Sequence, residues 1–341
     1  MARPSSWIYL WTFLGALAGG LVLTPVARRF ATRFGVVDAP DARKAHVEPV
    51  SLFGGLAIYA GAFAAAWSLA AGARPELKGF FIAGLVILVF GMQDDITPMD
   101  PWIKLLAQVA AALVLTGFGV GVQVHTDDLV NVVLTVAWVV GVLNAFNYQD
   151  NMNGLAAGLA VVSALAFFVL AVTEEQYLVA VLAAGVVGGA LGFLPSNFPR
   201  ARIFMGDAGS MFLGFVLAFL GIRLRFLDEP KSTAFLLPAI VLGVPLFDAA
   251  LATISRIRRG VPPTTPGRDH SSHRLVKLGL PQWAAVAVLW AAQAVLGLGA
   301  LAVARLGPGA DTAVLVAMVA AGVAAWAFLE RPSVVAALPP G

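Results

Sequence analysis

The sequence contains no cysteine and only four histidines among its 341 residues. Without cysteine, a disulfide framework and thiolate metal sites are both excluded. Charged residues are also scarce, at 12%, whereas 60% of the residues are hydrophobic and the mean hydropathy is +0.87. A soluble domain is about half apolar and about a quarter charged. This composition therefore excludes an ordinary soluble protein and indicates a membrane protein.

What the sequence has in abundance is apolar runs, many of them about 18 residues or longer, enough to cross a bilayer. They predict an all-α, polytopic integral membrane protein with one domain over residues 1–341. The first run resembles a signal peptide, but it is too long for one and ends in arginines, so we interpret it as a span. The third predicted span is short for a crossing. The eleven predicted spans are 7–26, 53–72, 79–93, 102–122, 129–147, 154–173, 177–195, 208–226, 233–254, 282–304 and 311–329.

Lysine and arginine are distributed unevenly between the two sets of loops, which predicts the orientation of the chain. The larger share of these 22 residues faces the cytoplasm if the N-terminus is outside and the C-terminus is cytoplasmic. The net charge of +3 lies in loops, where it suits orientation or phosphate contacts rather than nucleic acid. In this orientation the segments 27–52, 94–101, 148–153, 196–207 and 255–281 are all cytoplasmic. Five polar segments on one face predict a single composite active site.

An apolar run ends in GMQDDITP, with two adjacent carboxylates at Asp94 and Asp95. The plain interpretation is a helix that ends in two charges at the membrane interface. However, the C-terminal end of a helix carries the negative end of its dipole, and adjacent carboxylates repel each other. A compensating cation is therefore expected. Oxygen ligands without cysteine favour Mg²⁺, with Mn²⁺ as the alternative.

Two other aspartates lie in polar segments. Asp207, in RIFMGDAGS, is either the N-cap of the next helix or a third metal carboxylate. In the second case Gly206 and Gly209 let the backbone approach a phosphate. Asp150, in NAFNYQDNMNG, ends a helix rich in amide side chains. This segment is either a polar helix end or a surface that recognises a nucleobase and a sugar.

The segment RDHSSHRL holds His270 and His273, which share one face if the segment is helical. Arg268 and Arg274 make it a cationic cluster, either a solvated basic loop or a diphosphate clamp. The arginines would repel zinc, so we discount a zinc pair. His46 lies in a second basic loop, DARKAH. Together these residues predict a metal-dependent site for a phosphorylated substrate at the membrane surface.

Five motifs, taken in order, resemble the polyprenyl-phosphate N-acetylhexosamine-1-phosphate transferase family over about residues 24–280. The motifs are DAPDARKAHVEPVSLFGG, DD followed by PWIKLLAQ, NAFNYQDNMNGLAAG, SNFPRARIFMGDAGS, and PLFDAALATISRIRRG leading into DHSSHRL. The family includes phospho-MurNAc-pentapeptide transferase and the GlcNAc-1-phosphate transferases that start O-antigen, teichoic acid and related glycans. The resemblance implies transfer of a sugar 1-phosphate from a UDP-sugar to undecaprenyl phosphate, with release of UMP and a requirement for Mg²⁺. It also implies a site on the cytoplasmic face of the inner membrane.

The resemblance assigns roles position by position. The implied catalytic residues are Asp94, Asp95, Asp150, His270 and His273. The implied metal ligands are Asp94, Asp95 and Asp207. The implied substrate-binding residues are His46, Lys104, Asn147, Asn153, Asn197, Phe204 and Arg268, with Phe204 stacking on uracil and Asn197 holding its region together.

Some positions depart from the family pattern. Asn151 and Asn153 replace a glycine and the second acid of the family's NxxDGxDG motif. An amide oxygen can still accept a hydrogen bond from uracil, but proton transfer at Asn153 is not expected. Val47, Glu48 and Ser51 depart from the family's first loop. These changes weaken the role assigned to that loop.

Several functions remain open at this point. The run of three adjacent histidines that the pentapeptide enzymes of the family carry is absent, which favours UDP-GlcNAc as donor over phospho-MurNAc-pentapeptide transfer. UDP-GalNAc or another N-acetyl sugar also remains open. A transporter or lipid flippase would show broken helices, an internal repeat or mid-membrane charges, and Asp248 is the best argument for it. The resemblance places Asp248 near the cytoplasmic end of the ninth span, orienting Arg256 or a neighbour. The motif of a CDP-alcohol phosphotransferase is missing, and a homodimer is left open.

Overall fold

A computed structural model describes residues 7–38, 50–56, 58–60, 74–226, 236–265, 267–306 and 309–335. These ranges are mostly helical, which agrees with the predicted all-α class. The helices are α1 (Trp7–Arg33), α2 (Pro75–Ile96), α3 (Pro101–Gly117), α4 (Asp128–Gln149), α5 (Leu155–Thr173), α6 (Tyr177–Asn197), α7 (Gly206–Arg223), α8 (Leu237–Val241), α9 (Gly243–Arg258), α10 (Ser271–Lys277), α11 (Gln282–Arg305), α12 (Ala310–Leu329) and α13 (Pro332–Val335). Two short antiparallel strands, β1 (Val37–Asp38) and β2 (Val50–Ser51), pair with Val37 opposite Ser51.

Eight helices in the described ranges are long and apolar enough to cross a membrane: α1, α2, α4, α5, α6, α7, α11 and α12. Each coincides with a predicted span, so the protein is a polytopic membrane protein. The predicted fourth span, 102–122, is the shorter helix α3, which has 17 residues. The predicted second span, 53–72, lies largely outside the described residues. Eleven spans and the orientation of the termini therefore stay predictions.

The third span is longer than its apolar run, so the expectation of a short crossing is wrong. Helix α2 has 22 residues and begins with Pro75 in its first turn, where proline's missing N–H costs no hydrogen bond. The predicted span, 79–93, ends at Gln93. The helix nevertheless continues through Asp94 and Asp95, because both carboxylates find partners beyond its end.

The ninth predicted span, 233–254, is not one continuous helix. Helix α8 ends at Val241 and α9 begins at Gly243. The buried amide of Gln293 on α11 accepts from the Val244 N–H at 3.0 Å and donates to the Val241 carbonyl at 2.6 Å. Backbone groups freed inside a membrane need such partners. Gly243 allows the close approach, because a Cβ there would lie 2.6 Å from a Leu296 methyl carbon.

Helix α7 lies at the centre of the bundle, with nearly every residue buried, and packs against α2 and α4. Helices α5 and α6 pack together, and α6 also packs along α1. In contrast, only Asp311 and Leu329 are buried on α12. An apolar helix that exposes most of its surface is typical of contact with lipid.

The described polar segments meet at one end of the bundle, as the sequence predicts. This end collects the C-terminal ends of α2, α4, α6, α9 and α12 and the N-terminal ends of α3 and α7, and the contacts below join them. The loop that follows β2 belongs here too, since Phe204 donates to Ser51 and accepts from Gly54 through backbone groups. At the opposite end, Arg223 pairs with Glu76 at 3.7 Å.

Candidate active site

Asp95 closes the N-terminus of helix α7. Its Oδ1 accepts from the Asp207 N–H at 2.7 Å and its Oδ2 from the Ala208 N–H at 3.2 Å. Gly206 has a φ of +74°, and a Cβ there would lie 2.5 Å from the Asp95 carboxylate, so this position requires glycine. The positive end of the α7 dipole therefore stabilises the Asp95 carboxylate. The prediction that Asp207 caps this helix itself is wrong, because the N-cap is Met205 and Asp207 lies in the first turn.

The second carboxylate of the pair has a different partner. Asp94 Oδ2 lies 3.1 Å from Lys104 Nζ, and its Oδ1 accepts from the Met99 N–H at 2.8 Å. The same ammonium group contacts Asp207 Oδ2. Asn147 donates to the other oxygen of Asp207 at 3.0 Å. Asp94, Lys104, Asn147 and Asp207 thus form one continuous cluster from three helices and the first turn of α7.

Asp150 adds a further negative charge beside this cluster. Burial raises the pKa of Asp150 well above its ordinary value, and the negative charges of Asp207 and Asp95 raise it further. Four aspartates therefore share a region in which Lys104 contacts two of them, Asp94 and Asp207. A partly buried excess of negative charge favours the binding of a cation.

The oxygen-rich donor set fits a hard divalent ion such as Mg²⁺. Asp94 and Asp207 suit it best, because both already face one cation, the Lys104 ammonium. Both oxygens of Asp95 are used in capping α7, so its ligation of a metal stays a prediction. Within the described ranges no three acidic or histidine side chains converge on one point.

Asn197 ties two loops of the site together. Its buried amide accepts from the Gly154 N–H at 2.6 Å and donates to the Ile203 carbonyl at 2.9 Å. Asn153 donates to the Pro199 carbonyl at 3.2 Å. The segment that follows Asp150 is therefore fixed against the loop that leads to α7. Phe204 lies half-buried on that loop.

A second, basic half of the site is organised around Asp269. Its carboxylate accepts from Arg256 Nε at 2.9 Å and Nη2 at 2.7 Å, and from Arg259 Nη2 at 2.6 Å. Hydrogen bonds from Arg256 and the positive charges around it outweigh burial and lower the pKa of Asp269. Arg274 is fully buried and donates to the Asp269 carbonyl, the Leu329 carbonyl and Glu330. Arg274 is therefore a structural residue.

The predicted cationic cluster is therefore smaller than its sequence indicates. Burial is the main cause that lowers the pKa of His273 to about 4, so His273 is neutral near pH 7. Arg268 is exposed and has no hydrogen bond or ion pair to the described part of the chain. Arg268 and neutral His273 are consequently the groups of this segment best placed for a ligand.

Residues 147–151 connect the two halves of the site. Tyr148 contacts the His270 ring edge-on, with centroids 5.3 Å apart, and lies under the Arg256 guanidinium at 5.6 Å. Asn151, a departure from the family, accepts from the Ser272 hydroxyl at 2.7 Å. The acidic and basic halves therefore form one composite site. His46 lies outside the described residues.

Two important residues of this site escaped detailed prediction. Asp248 is buried, and it contacts His270, Ser271 and Gln149 rather than Arg256. Asp269 had no predicted role, although its position between Arg268 and His270 in a loop with five arginines was an available signal. A fully partnered Asp248 weakens the argument for a transport site.

A bundle of membrane-crossing helices with an acidic and a basic half-site at one end defines a polytopic membrane enzyme. Residues 77–225 match the model of glycosyl transferase family 4. The chain is 33% identical over 287 residues to a probable undecaprenyl-phosphate N-acetylglucosaminyl 1-phosphate transferase of Bacillus subtilis (strain 168), covering 82% of this chain and 80% of the relative. The chain belongs to this family, as its motifs predicted.

Two further relatives are named for the same type of transfer. The chain is 34% identical over 330 residues to the decaprenyl-phosphate N-acetylglucosaminephosphotransferase of Mycolicibacterium smegmatis (strain ATCC 700084 / mc(2)155), covering 84% of this chain and 80% of the relative. It is 26% identical over 295 residues to the undecaprenyl-phosphate alpha-N-acetylglucosaminyl 1-phosphate transferase of Escherichia coli (strain K12), covering 81% and 79%.

Proposed function

We propose that this enzyme transfers N-acetylglucosamine 1-phosphate from UDP-GlcNAc to a polyprenyl phosphate such as undecaprenyl phosphate, releasing UMP. The observation that carries the proposal is the junction at residues 147–151, where four aspartates with Lys104 meet the arginine–histidine segment. The names of the relatives supply the acceptor and the sugar phosphate. The product would start a lipid-linked glycan of the cell envelope.

The acidic and basic half-sites have different roles in the proposed reaction. The reaction brings a lipid phosphate towards a sugar diphosphate, so repulsion between the two anions has to be offset. Lys104 is positioned between Asp94 and Asp207 to neutralise charge on the acidic side. Arg268 and His273 supply donors on the basic side. Asn147 orients Asp207, and Asn153 and Phe204 are the proposed partners of the uracil base.

A divalent ion, Mg²⁺ or Mn²⁺, belongs to the same proposal, with Asp94 and Asp207 as its protein ligands. When bound, it would neutralise charge that develops on the leaving phosphate. The site is proposed to face the cytoplasm at the inner membrane, with N-terminus outside and C-terminus inside. The uneven distribution of lysine and arginine supports this orientation.

The test is UMP release by the purified full-length protein, given undecaprenyl phosphate, UDP-GlcNAc and Mg²⁺. Asp94→Asn and Asp207→Asn should each reduce release by at least about 100-fold, the usual scale for loss of electrostatic stabilisation in an active site. Asp128→Asn is the matched control, because Asp128 is exposed at the opposite end of α4. It should behave as the wild type.

The alternatives give distinct results. Release with UDP-GalNAc or UDP-MurNAc-pentapeptide, but not with UDP-GlcNAc, would keep the reaction and correct the donor. Release that is unaffected by both active-site variants would refute the assigned site. No release with any UDP-sugar, from protein that elutes as a folded species, would refute the transferase proposal.

A further inference from the structure

Both ring nitrogens of His270 are engaged inside the protein. Nδ1 lies 2.7 Å from Asp248 Oδ2, and Nε2 lies 3.3 Å from Arg256 Nη2. Arginine can only donate hydrogen bonds, so Nε2 must be the acceptor of that contact. The ring proton therefore resides on Nδ1 and is donated to Asp248. The surrounding hydrogen bonds thus select the neutral Nδ1–H tautomer.

Asp248 is itself held from several directions. Its Oδ1 accepts from the Ser271 N–H at 2.5 Å, and its Oδ2 also accepts from Gln149 Nε2 at 2.9 Å. The whole residue is buried. Asp248 thus receives three donors, from α4, from His270 and from the first residue of α10. An acceptor-only carboxylate is the group that satisfies three donors at once.

The other neighbour of His270, Arg256, is equally constrained. It makes the bidentate pair with Asp269, donates to the Pro263 carbonyl at 2.8 Å and lies over the Tyr148 ring. His270 is buried and leaves little surface for a substrate. The His270 ring therefore connects Asp248 on α9 with Arg256, the arginine that binds Asp269 in the basic half of the site.

We propose that Asp248 and His270 are positioning residues. Asp248 holds His270 as the Nδ1–H tautomer, and the His270 Nε2 then aligns Arg256 against Asp269 and Tyr148. This arrangement sets the segment that carries Arg268 and His273 against residues 147–151. The proposal rests on the proposed transferase function, and it gives His270 an orienting role in place of the proton transfer or phosphate contact expected from its motif.

The first test compares Asp248→Asn with His270→Asn in the UMP-release assay. In Asp248→Asn the new amide nitrogen faces the Ser271 N–H in one orientation and both His270 and Gln149 in the other, so at least one buried donor loses its acceptor. We expect kcat/KM to fall about 10- to 100-fold, the equivalent of one or two unsatisfied buried groups. In His270→Asn the side-chain amide can still donate to Asp248, so the loss should stay near tenfold.

The shape of the pH–rate profile separates positioning from proton transfer. His270→Asn should keep the profile of the wild type at a lower rate. A loss of about 1000-fold or more, with one limb of the profile missing, would make His270 a general acid or base and overturn the proposal. His125→Asn is the matched control, since His125 lies in the loop before α4 at the opposite end of the bundle.

A readout independent of turnover is the tautomer itself. ¹⁵N-histidine labelling of the full-length protein in detergent gives four ring spin systems, and the His270→Asn and His125→Asn variants assign two of them. His270 should show a protonated Nδ1 and an unprotonated Nε2 in the wild type. A protonated Nε2 in the wild type would overturn the proposal even if the variants do not fold. An inactive wild type with the expected tautomer would instead refute only the transferase function.

Discussion

Replacing Asp269 with asparagine removes the charge that holds the basic half of the site. The Asp269 carboxylate receives three hydrogen bonds from Arg256 and Arg259 at 2.6–2.9 Å. Asp269 and Arg256 are each only 3% exposed. Asparagine has the same shape, but it carries no charge and can accept with only one of its two terminal atoms. Arg256 would therefore keep a buried charge without a counterion, at a cost of about 3–5 kcal/mol.

The assay is thermal unfolding of the purified protein in detergent. The loss of folding stability in Asp269→Asn should lower Tm by about 5 °C or more on the usual relation between stability and Tm. Arg258→Ala is the matched control, because Arg258 is 63% exposed and lies 3.7 Å from Glu330. An exposed pair of this kind contributes at most about 1 kcal/mol. Equal Tm values for Asp269→Asn and Arg258→Ala would refute the reasoning.

The same ion pair predicts a pH dependence. The pKa of Asp269 is lowered in the folded protein, so its stabilisation is present above the ordinary pKa and is lost as pH falls through the lowered value. Tm of the wild type should therefore drop further on acidification than Tm of Asp269→Asn, and the two curves should converge at low pH. Parallel curves would show that Asp269 is not ionised in the native state.

Three further predictions concern the loops of the site. Asn197→Ala leaves the Gly154 N–H and the Ile203 carbonyl without their partner, so Tm should fall by an amount equal to about 1–3 kcal/mol per group; an unchanged Tm would contradict this. The His273 pKa of about 4 lies below the ordinary value of 6.5, so the wild type should lose up to about 3 kcal/mol of folding stability as the pH falls from 6.5 to 4. His273→Asn should show a flatter Tm curve over that window, and an equal slope would contradict this. Asn151→Gly removes the hydrogen bond to the histidine segment and should reduce stability by about 1 kcal/mol; an increase in Tm would show that this bond is not needed.

Apolar runs predicted the helical class and most of the spans, because burial in lipid demands long apolar helices. The order of the motifs predicted the family and the convergence of the polar segments at one end. The partner of each aspartate was not predictable in the same way. Asp94 and Asp95 are neighbours in sequence, yet Lys104 pairs with the first and the N-terminus of α7 holds the second. Such partners depend on how α2 packs against α7, which a single sequence does not encode locally.

Hydropathy also did not predict the break between α8 and α9, and this break bears on function. Residues 233–254 are apolar throughout the region that breaks, so hydropathy predicts one span. The local signal for the break is Pro245, which has no N–H to donate to the Val241 carbonyl. The buried Gln293, about 50 residues away, bonds to both sides of the break. Broken helices in membranes are often associated with transport, but here the helix after the break carries Asp248, whose three partners are all protein groups. A transported ion or solute would need some of those acceptor positions free. The break therefore serves to place α9, and through it Asp248 and Arg256, against the histidine segment.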